Sequence, residues 1–191
     1  MQIFNNFYDY HRFLKTMLYY SLEGPKPKFS IFAPTSLSLN QSKKIVDIVC
    51  YCLMPNHFHF LLQQKKEGGI TEFLSKLSNS YTKYFNIKNK RIGPLLQGNF
   101  KSVYVETNEQ LIHLSRYIHL NPLVGYVTKD LGNYRWSSYL EYVNTNKNIC
   151  SKEIILNQFS YSLTYKQFVL NQEDYGKNLE MINHQLVDLE E

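Results

Sequence analysis

The chain reads as a mixed α/β or α+β domain, with helices on one face of a mostly antiparallel sheet. Three observations point there. Ile45 to Met54 is a near-continuous apolar, β-branched run, the signature of a buried strand. Pro55-Asn56 is a turn, and His57 to Gln64 returns from it as the second strand of a hairpin. Two segments with helical spacing, Thr71 to Asn86 and Asn108 to Asn121, follow that hairpin.

Taken in order, Asp9 is placed to cap a helix that runs through Tyr20 with Phe13, Leu14, Met17 and Leu18 on its apolar side, closing at Gly24. Residues 25–42 are rich in Pro, Ser and Asn and read as an insertion loop. The hairpin comes next and Gly68-Gly69 breaks its second strand. The helix Thr71–Asn86 carries Phe73, Leu74, Leu77, Tyr81, Tyr84 and Phe85 at helical spacing, and a loop covers Ile87 to Gly93. Lys101 to Glu106 alternates well enough to predict a further strand. Thr107, with Gln110 three residues on, is a capping box for a helix that Pro122 is expected to stop near Asn121. Trp136-Ser137-Ser138-Tyr139 leads into a short helix, and Ser151–Phe159 and Tyr165–Asn171 predict two more. The organisation expected is a main domain over 1–145, a helical extension over 146–171 and a weakly structured acidic tail over 172–191.

With 43% apolar residues and an ordinary charged fraction, the chain is globular. It has no run approaching the roughly 20 apolar residues of a membrane span, and Met1-Gln2-Ile3-Phe4-Asn5-Asn6 lacks the basic start of a secretory leader. Three cysteines, an odd number, fit a reducing cytoplasm. The net charge of +5 hides an asymmetry. The tail holds Glu173, Asp174, Glu180, Asp188, Glu190 and Glu191 against Lys177 alone. Residues 73–105 hold no acid, but Lys76, Lys83, Lys88, Lys90, Arg91 and Lys101 alternate there with planar side chains such as Tyr81, Tyr84, Phe100 and Tyr104. Cations for phosphates and rings for bases suit a nucleic-acid strand; a solvated basic face without function is the plain alternative.

The chemistry starts from His57 and His59. Two residues apart on a strand, they share one face, and Phe58, Phe60 and Leu62 take the other, which reads as core. Two imidazoles on one face make half a metal site. The helix Asn108–Asn121 can supply the rest. Tyr117 and Asn121 are four apart and share a helix face, so an Asn121 oxygen can serve as third ligand with Tyr117 one turn away. Tyrosine, with an ordinary pKa near 10, is roughly 0.1% ionised at neutral pH. As a nucleophile it therefore needs an activated target. A divalent ion on a phosphodiester oxygen supplies that, and the nitrogen and oxygen donors fit Mg²⁺ or Mn²⁺. Plainer readings stand beside this one. The imidazoles could be a polar strand face, Tyr117 is one of 16 tyrosines, and Cys50 and Cys52 could join the histidines around a structural zinc. Against zinc, the two cysteines share a face with Val46, Ile48 and Met54 and read as core. His119, two residues from Tyr117, points away from it, toward phosphate or backbone; His113 lies a turn further off.

His57-Phe58-His59 resembles the HUH motif, in which a bulky apolar residue separates two histidines. The longer strings Tyr51-Cys52-Leu53-Met54-Pro55-Asn56-His57-Phe58-His59 and Arg116-Tyr117-Ile118-His119-Leu120-Asn121-Pro122 resemble the REP-associated tyrosine transposases, as do Gln97-Gly98-Asn99-Phe100-Lys101-Ser102 and Trp136-Ser137-Ser138-Tyr139. The resemblance covers roughly residues 3–170, with four motifs in order. It implies a ferredoxin-like antiparallel sheet and a metal-dependent nuclease and strand transferase. The implied substrate is single-stranded hairpin DNA of repetitive extragenic palindromes, in a bacterial cytoplasm at the nucleoid. By position it makes Tyr117 the nucleophile and His57, His59 and Asn121 the metal ligands. Independently of the resemblance, the basic residues Lys83, Lys88, Lys90, Arg91, Lys101 and Arg116 are the expected nucleic-acid contacts. Either a homodimer or a monomer is compatible. Members of that family begin with a strand bearing an Asn-Arg-Gly-like string ahead of the Ile3-Phe4 region, and this chain is expected to lack it. The rivals are a hairpin-binding protein of the same fold without catalysis and a zinc-stabilised interaction domain.

Overall fold

Helix α1 (Phe7–Ser21) opens on Asn6, whose side-chain oxygen accepts from the N–H groups of Tyr8 (3.0 Å) and Asp9 (3.3 Å). Asp9 is therefore not the cap. It is the third helical residue, and its Oδ2 reaches back to accept from the Asn5 N–H at 3.0 Å. A carboxylate at that place satisfies a stray amide and faces the positive end of the helix. The computed structural model describes residues 1–24, 29, 43–96, 98, 100–144, 149–160 and 162–171. The expected insertion 25–42 apart from Phe29, the tail 172–191, and Gln97 and Asn99 of one family-like string lie outside the described residues.

The hairpin forms as expected from β1 (Val46–Leu53) and β2 (Phe58–Gln64), hydrogen-bonded neighbours in one sheet. β1 is buried almost along its whole length, as its apolar run requires. β2 corrects one expectation. The fully buried residue in it is Leu61, on the imidazole face, whereas Phe58, Phe60 and Leu62 are only half-buried. The two rings lie against each other, with Phe58 and Phe60 centroids 5.0 Å apart and planes tilted at 43°.

The α+β class holds, but the larger ferredoxin-like sheet is not formed by the described residues, where the sheet has two strands. Lys101–Glu106 is irregular backbone and not a strand. Its alternation does not correspond to a buried face: Val103 and Val105 are half-buried and Tyr104 is 82% exposed. Without a covered side, period two has nothing to enforce a ladder. Instead, β1 is flanked by the segment Trp136–Ser138. The Leu53 N–H donates to the Trp136 carbonyl at 2.9 Å, and Cys52 bridges to Ser137.

The chain divides into two compact units. The first comprises Met1–Ile48, Pro55–His57 and Leu62–Gly98. Its core joins α1 to α2 (Gly69–Lys88) through rings: Phe13 and Tyr81 lie 5.0 Å apart, and Phe4 packs on Tyr10 at 4.5 Å. The Tyr81 hydroxyl donates to the Ile3 carbonyl at 2.6 Å. Helix α2 starts two residues earlier than expected. Gly68 takes a left-handed turn (φ +67°), and a side chain on Gly69 would place its Cβ 2.3 Å from the Ile45 carbonyl oxygen, which only glycine avoids.

The second unit comprises Val49–Met54, Phe58–Leu61 and Asn99–Glu191. Its described helices are α3 (Asn108–Val124), a 3₁₀ turn at Leu131–Asn133, α4 (Tyr139–Val143), α5 (Glu153–Leu156) and α6 (Ser162–Leu170). Thr107 caps α3, its hydroxyl accepting from the Gln110 N–H at 3.1 Å, as expected. Pro122 does not stop α3; the helix runs on to Val124 without the i to i−4 hydrogen bond that an amide at residue 122 would give. α5 is a single turn, shorter than expected, because only Ile155 in it is fully buried. Among the described residues no helix is long and apolar enough to cross a membrane.

Candidate active site

Helix α3 presents two different faces. On one, Tyr117 meets β2: its ring lies edge-on to the His59 imidazole, with centroids 5.7 Å apart and planes at 80°. Both residues are half-buried, as is Asn121 one turn further along the same face. His59 is delivered by the hairpin register and Tyr117 by the capped start of α3, so two of the elements legible in sequence set this contact. His57 stands just ahead of β2. It is exposed, and its Nδ1 lies 2.7 Å from Asn56 Oδ1. Desolvation by the surrounding chain lowers its pKa below the usual histidine value, which favours the neutral ring that a metal requires. His113 is turned elsewhere, with its ring 5.4 Å from that of Phe168 on α6.

The other face of α3 is core. His119 is fully buried, not turned toward a phosphate as the sequence suggested. Its Nδ1 lies 2.7 Å from the Tyr165 hydroxyl and its Nε2 lies 2.7 Å from Ser138 Oγ. Tyr165 continues to Ser115 Oγ (3.1 Å), and Ser115 donates to the Ile112 carbonyl at 2.7 Å. Ser138 Oγ also accepts the Tyr51 N–H at 2.9 Å. In one proton arrangement Ser138 donates to Nε2, Nδ1–H donates to Tyr165, and Tyr165 donates to Ser115; in the reverse one Nε2–H donates to Ser138, which then donates to the Tyr51 carbonyl at 3.2 Å. Desolvation pushes the His119 pKa down to about 3, so the ring stays neutral. This network ties α3, α4, α6 and β1 together. It passes through Ser138 of the Trp136-Ser137-Ser138-Tyr139 string, whose role lies in Ser138 and the paired backbone beside β1. Sequence reading missed it because its members come from distant parts of the chain.

The basic residues separate into two groups. Lys83, Lys90 and Lys101 are exposed, as a phosphate contact requires. Lys88 is held by the fully buried Asp9, 2.5 Å away, and also lies 3.4 Å from the Tyr84 hydroxyl. Arg91 ties down its own loop, donating to Asn86 Oδ1 (3.1 Å), the Gly93 carbonyl (3.3 Å) and the Pro94 carbonyl (2.7 Å). Arg116 corrects the expectation of a nucleic-acid contact. It is 1% exposed, with its guanidinium 5.0 Å from the Phe168 ring centre, and a buried guanidinium does not meet a strand in solvent. Of the planar residues, Tyr81 and Phe85 are core, whereas Phe100 and Tyr104 are exposed.

Cys50 and Cys52 are buried core residues, and burial raises both thiol pKa values, so they stay protonated. Among the described residues no three His, Cys, Asp or Glu side chains gather to hold a metal, so the Cys-X-Cys and His-X-His zinc arrangement does not form.

Residues 34–121 match the model of the IS200-like transposases. Over that span, just under half of the chain, the sequence is similar to the IS200-like transposases. The matched span holds the hairpin, α2 and α3 up to Asn121, and therefore includes His57, His59 and Tyr117. No curated protein and no solved structure shows detectable similarity to the chain. The contact between His59 and Tyr117 falls inside the matched span.

Proposed function

We propose that the chain is a transposase, a metal-dependent endonuclease and strand transferase for single-stranded hairpin DNA of the repetitive-palindrome type, working through Tyr117. The observation that carries this reading is the edge-on approach of Tyr117 to His59, with Asn121 one turn along α3. The donor set suits a divalent ion: two imidazoles and an amide oxygen, from His57, His59 and Asn121, with His57 biased toward the neutral form. Such donors fit Mn²⁺ or Mg²⁺. When bound, the ion withdraws charge from a phosphodiester and stabilises its transition state by roughly several kcal/mol. Tyr117 Oη bonds to phosphorus, the bond from phosphorus to the 3′ oxygen breaks, and the phenolic proton passes through solvent to that oxygen. The products are a 5′-phosphotyrosyl strand and a free 3′-hydroxyl. Attack by another 3′-hydroxyl reverses the chemistry and joins strands. Lys83, Lys90 and Lys101 contact phosphates, and Phe100 and Tyr104 offer rings to bases.

The test is incubation with a labelled single-stranded hairpin and Mn²⁺, followed by a denaturing gel. A covalent protein–DNA band that EDTA removes is expected. Cleavage that persists in EDTA contradicts the metal role, and hairpin binding with no band in any metal favours a binding-only protein of the same fold.

A further inference from the structure

The end of α3 carries a residue that neither the fold nor the site above uses. The Tyr126 N–H donates to the Leu123 carbonyl at 3.2 Å and the Val127 N–H donates to the Pro122 carbonyl at 2.9 Å. These are the paired bonds of a Schellman stop, whose residue after the cap turns left-handed and is usually glycine. Here glycine stands one place earlier. At Gly125, the cap itself, an added Cβ would fall 2.8 Å from Met54 Cε, the far end of a flexible side chain, and 3.1 Å from the Asn121 carbonyl oxygen, a tight but adjustable fit. The left-handed position falls instead to Tyr126, with φ +54°. A tyrosine in that conformation is strained, and burial does not offset the strain, because Tyr126 is 96% exposed. Val124 (51%) and Val127 (38%) beside it are exposed as well, and exposed Lys129 follows. Strained positions of this kind persist where function uses them.

We propose that Tyr126 is a stacking platform for an unpaired base of the DNA strand next to the scissile phosphate, with Lys129 on an adjoining phosphate. The inference rests on the reading that Tyr117 cleaves single-stranded DNA, and deepens it by naming what sets the strand's register. The helix rise puts the end of α3 about 10 Å beyond Tyr117, within a few nucleotides of a phosphate held there. An aromatic face accepts any base, so this contact positions the strand without reading its sequence.

Tyr126→Gly separates this role from a structural one, because glycine relieves the strained backbone. Its melting temperature should equal or exceed that of the wild type. Affinity for a hairpin oligonucleotide with single-stranded flanks of mixed sequence should fall about five-fold or more, the loss of one base–ring stack. Tyr126→Trp should stay within about two-fold of the wild type, since a larger ring still stacks. With 2-aminopurine placed at successive flank positions, the wild type should quench one position strongly and Tyr126→Gly should not. Equal affinity and equal quenching by wild type and Tyr126→Gly, with wild-type cleavage intact, overturns this inference and leaves the Tyr117 reading standing. A sharp drop in the melting temperature of Tyr126→Gly also overturns it, since the ring is then structural. Failure of the wild type to bind or cleave any single strand overturns both readings.

Discussion

Tyr117 and His119 sit two residues apart on α3 and have opposite fates. Tyr117 is half-buried, edge-on to His59 and one turn from Asn121. His119 is sealed in the core, with both ring nitrogens hydrogen-bonded and its pKa pushed down to about 3. One face of the helix keeps polar groups within reach of a ligand and the other spends them on holding the helix in place. Residue type alone does not mark a site, since the more reactive side chain of the two, histidine, is the structural one here. The covering elements decide: α4 and α6 close over His119, whereas the Tyr117 face meets a strand that also carries an imidazole.

Substitutions on the two faces should therefore fail differently. Tyr117→Phe removes the oxygen proposed to react and keeps the ring against His59, so the largest effect expected is loss of all covalent product with an unchanged melting temperature, read on gels and by thermal melts. His59→Ala should lower metal-dependent cleavage on the order of 100-fold while hairpin affinity holds, measured by single-turnover kinetics. Ser138→Ala leaves the His119 Nε2 and the Tyr51 N–H without their partner; chemical denaturation should show a loss of about 1–3 kcal/mol, and cleavage at low temperature should stay near the wild-type rate. A severe catalytic defect in Ser138→Ala with normal stability would erase the contrast between the faces.

Acid offers a further test of the buried face. His119 has a folded pKa below its unfolded value near 6.5, so folding excludes the proton that the unfolded chain accepts. Its contribution is complete above about pH 6.5 and is lost as pH falls toward 3, at up to about 1.4 kcal/mol per pH unit. Denaturation at pH 7.5 and pH 5 should therefore differ by about 2 kcal/mol from this group, and His119→Leu should lose that part of the difference. The smallest effect belongs to the exposed cations: Lys101→Ala should weaken hairpin binding about two-fold and reduce the slope of log affinity against log salt by about 0.7.

What was legible in the sequence follows the range of the forces involved. The hairpin, α2 and the Thr107 cap depend on local periodicity and short-range hydrogen bonds; the cap appears where expected, and the strands and α2 within two residues of their expected bounds. The His59–Tyr117 contact follows from the same patterns, because strand and helix faces can be read residue by residue. The Lys101–Glu106 strand failed because alternation predicts a strand only when something covers one side. Asn6 took the cap that Asp9 was expected to hold, since either side chain can accept the same amides and the choice fell to where the buried Asp9 carboxylate meets Tyr84 and Lys88. The His119 network and the burial of Arg116 depend on Ser138, Tyr165 and Phe168, which lie far along the chain and carry no local signal. Charge counting likewise could not tell Lys88 and Arg91, held by the fold, from exposed Lys83, Lys90 and Lys101.

The central claim is that Tyr117 is the nucleophile, and mapping the covalent adduct tests it most directly. Trypsin cleavage after Arg116 and Lys129 releases residues 117–129, which contain both Tyr117 and Tyr126. After reaction with a single-stranded hairpin and Mn²⁺, nuclease trimming and fragmentation mass spectrometry of that peptide should place a 5′-phosphonucleotide on Tyr117 and leave Tyr126 unmodified. An adduct on Tyr126, or on a tyrosine of any other peptide, would contradict the account.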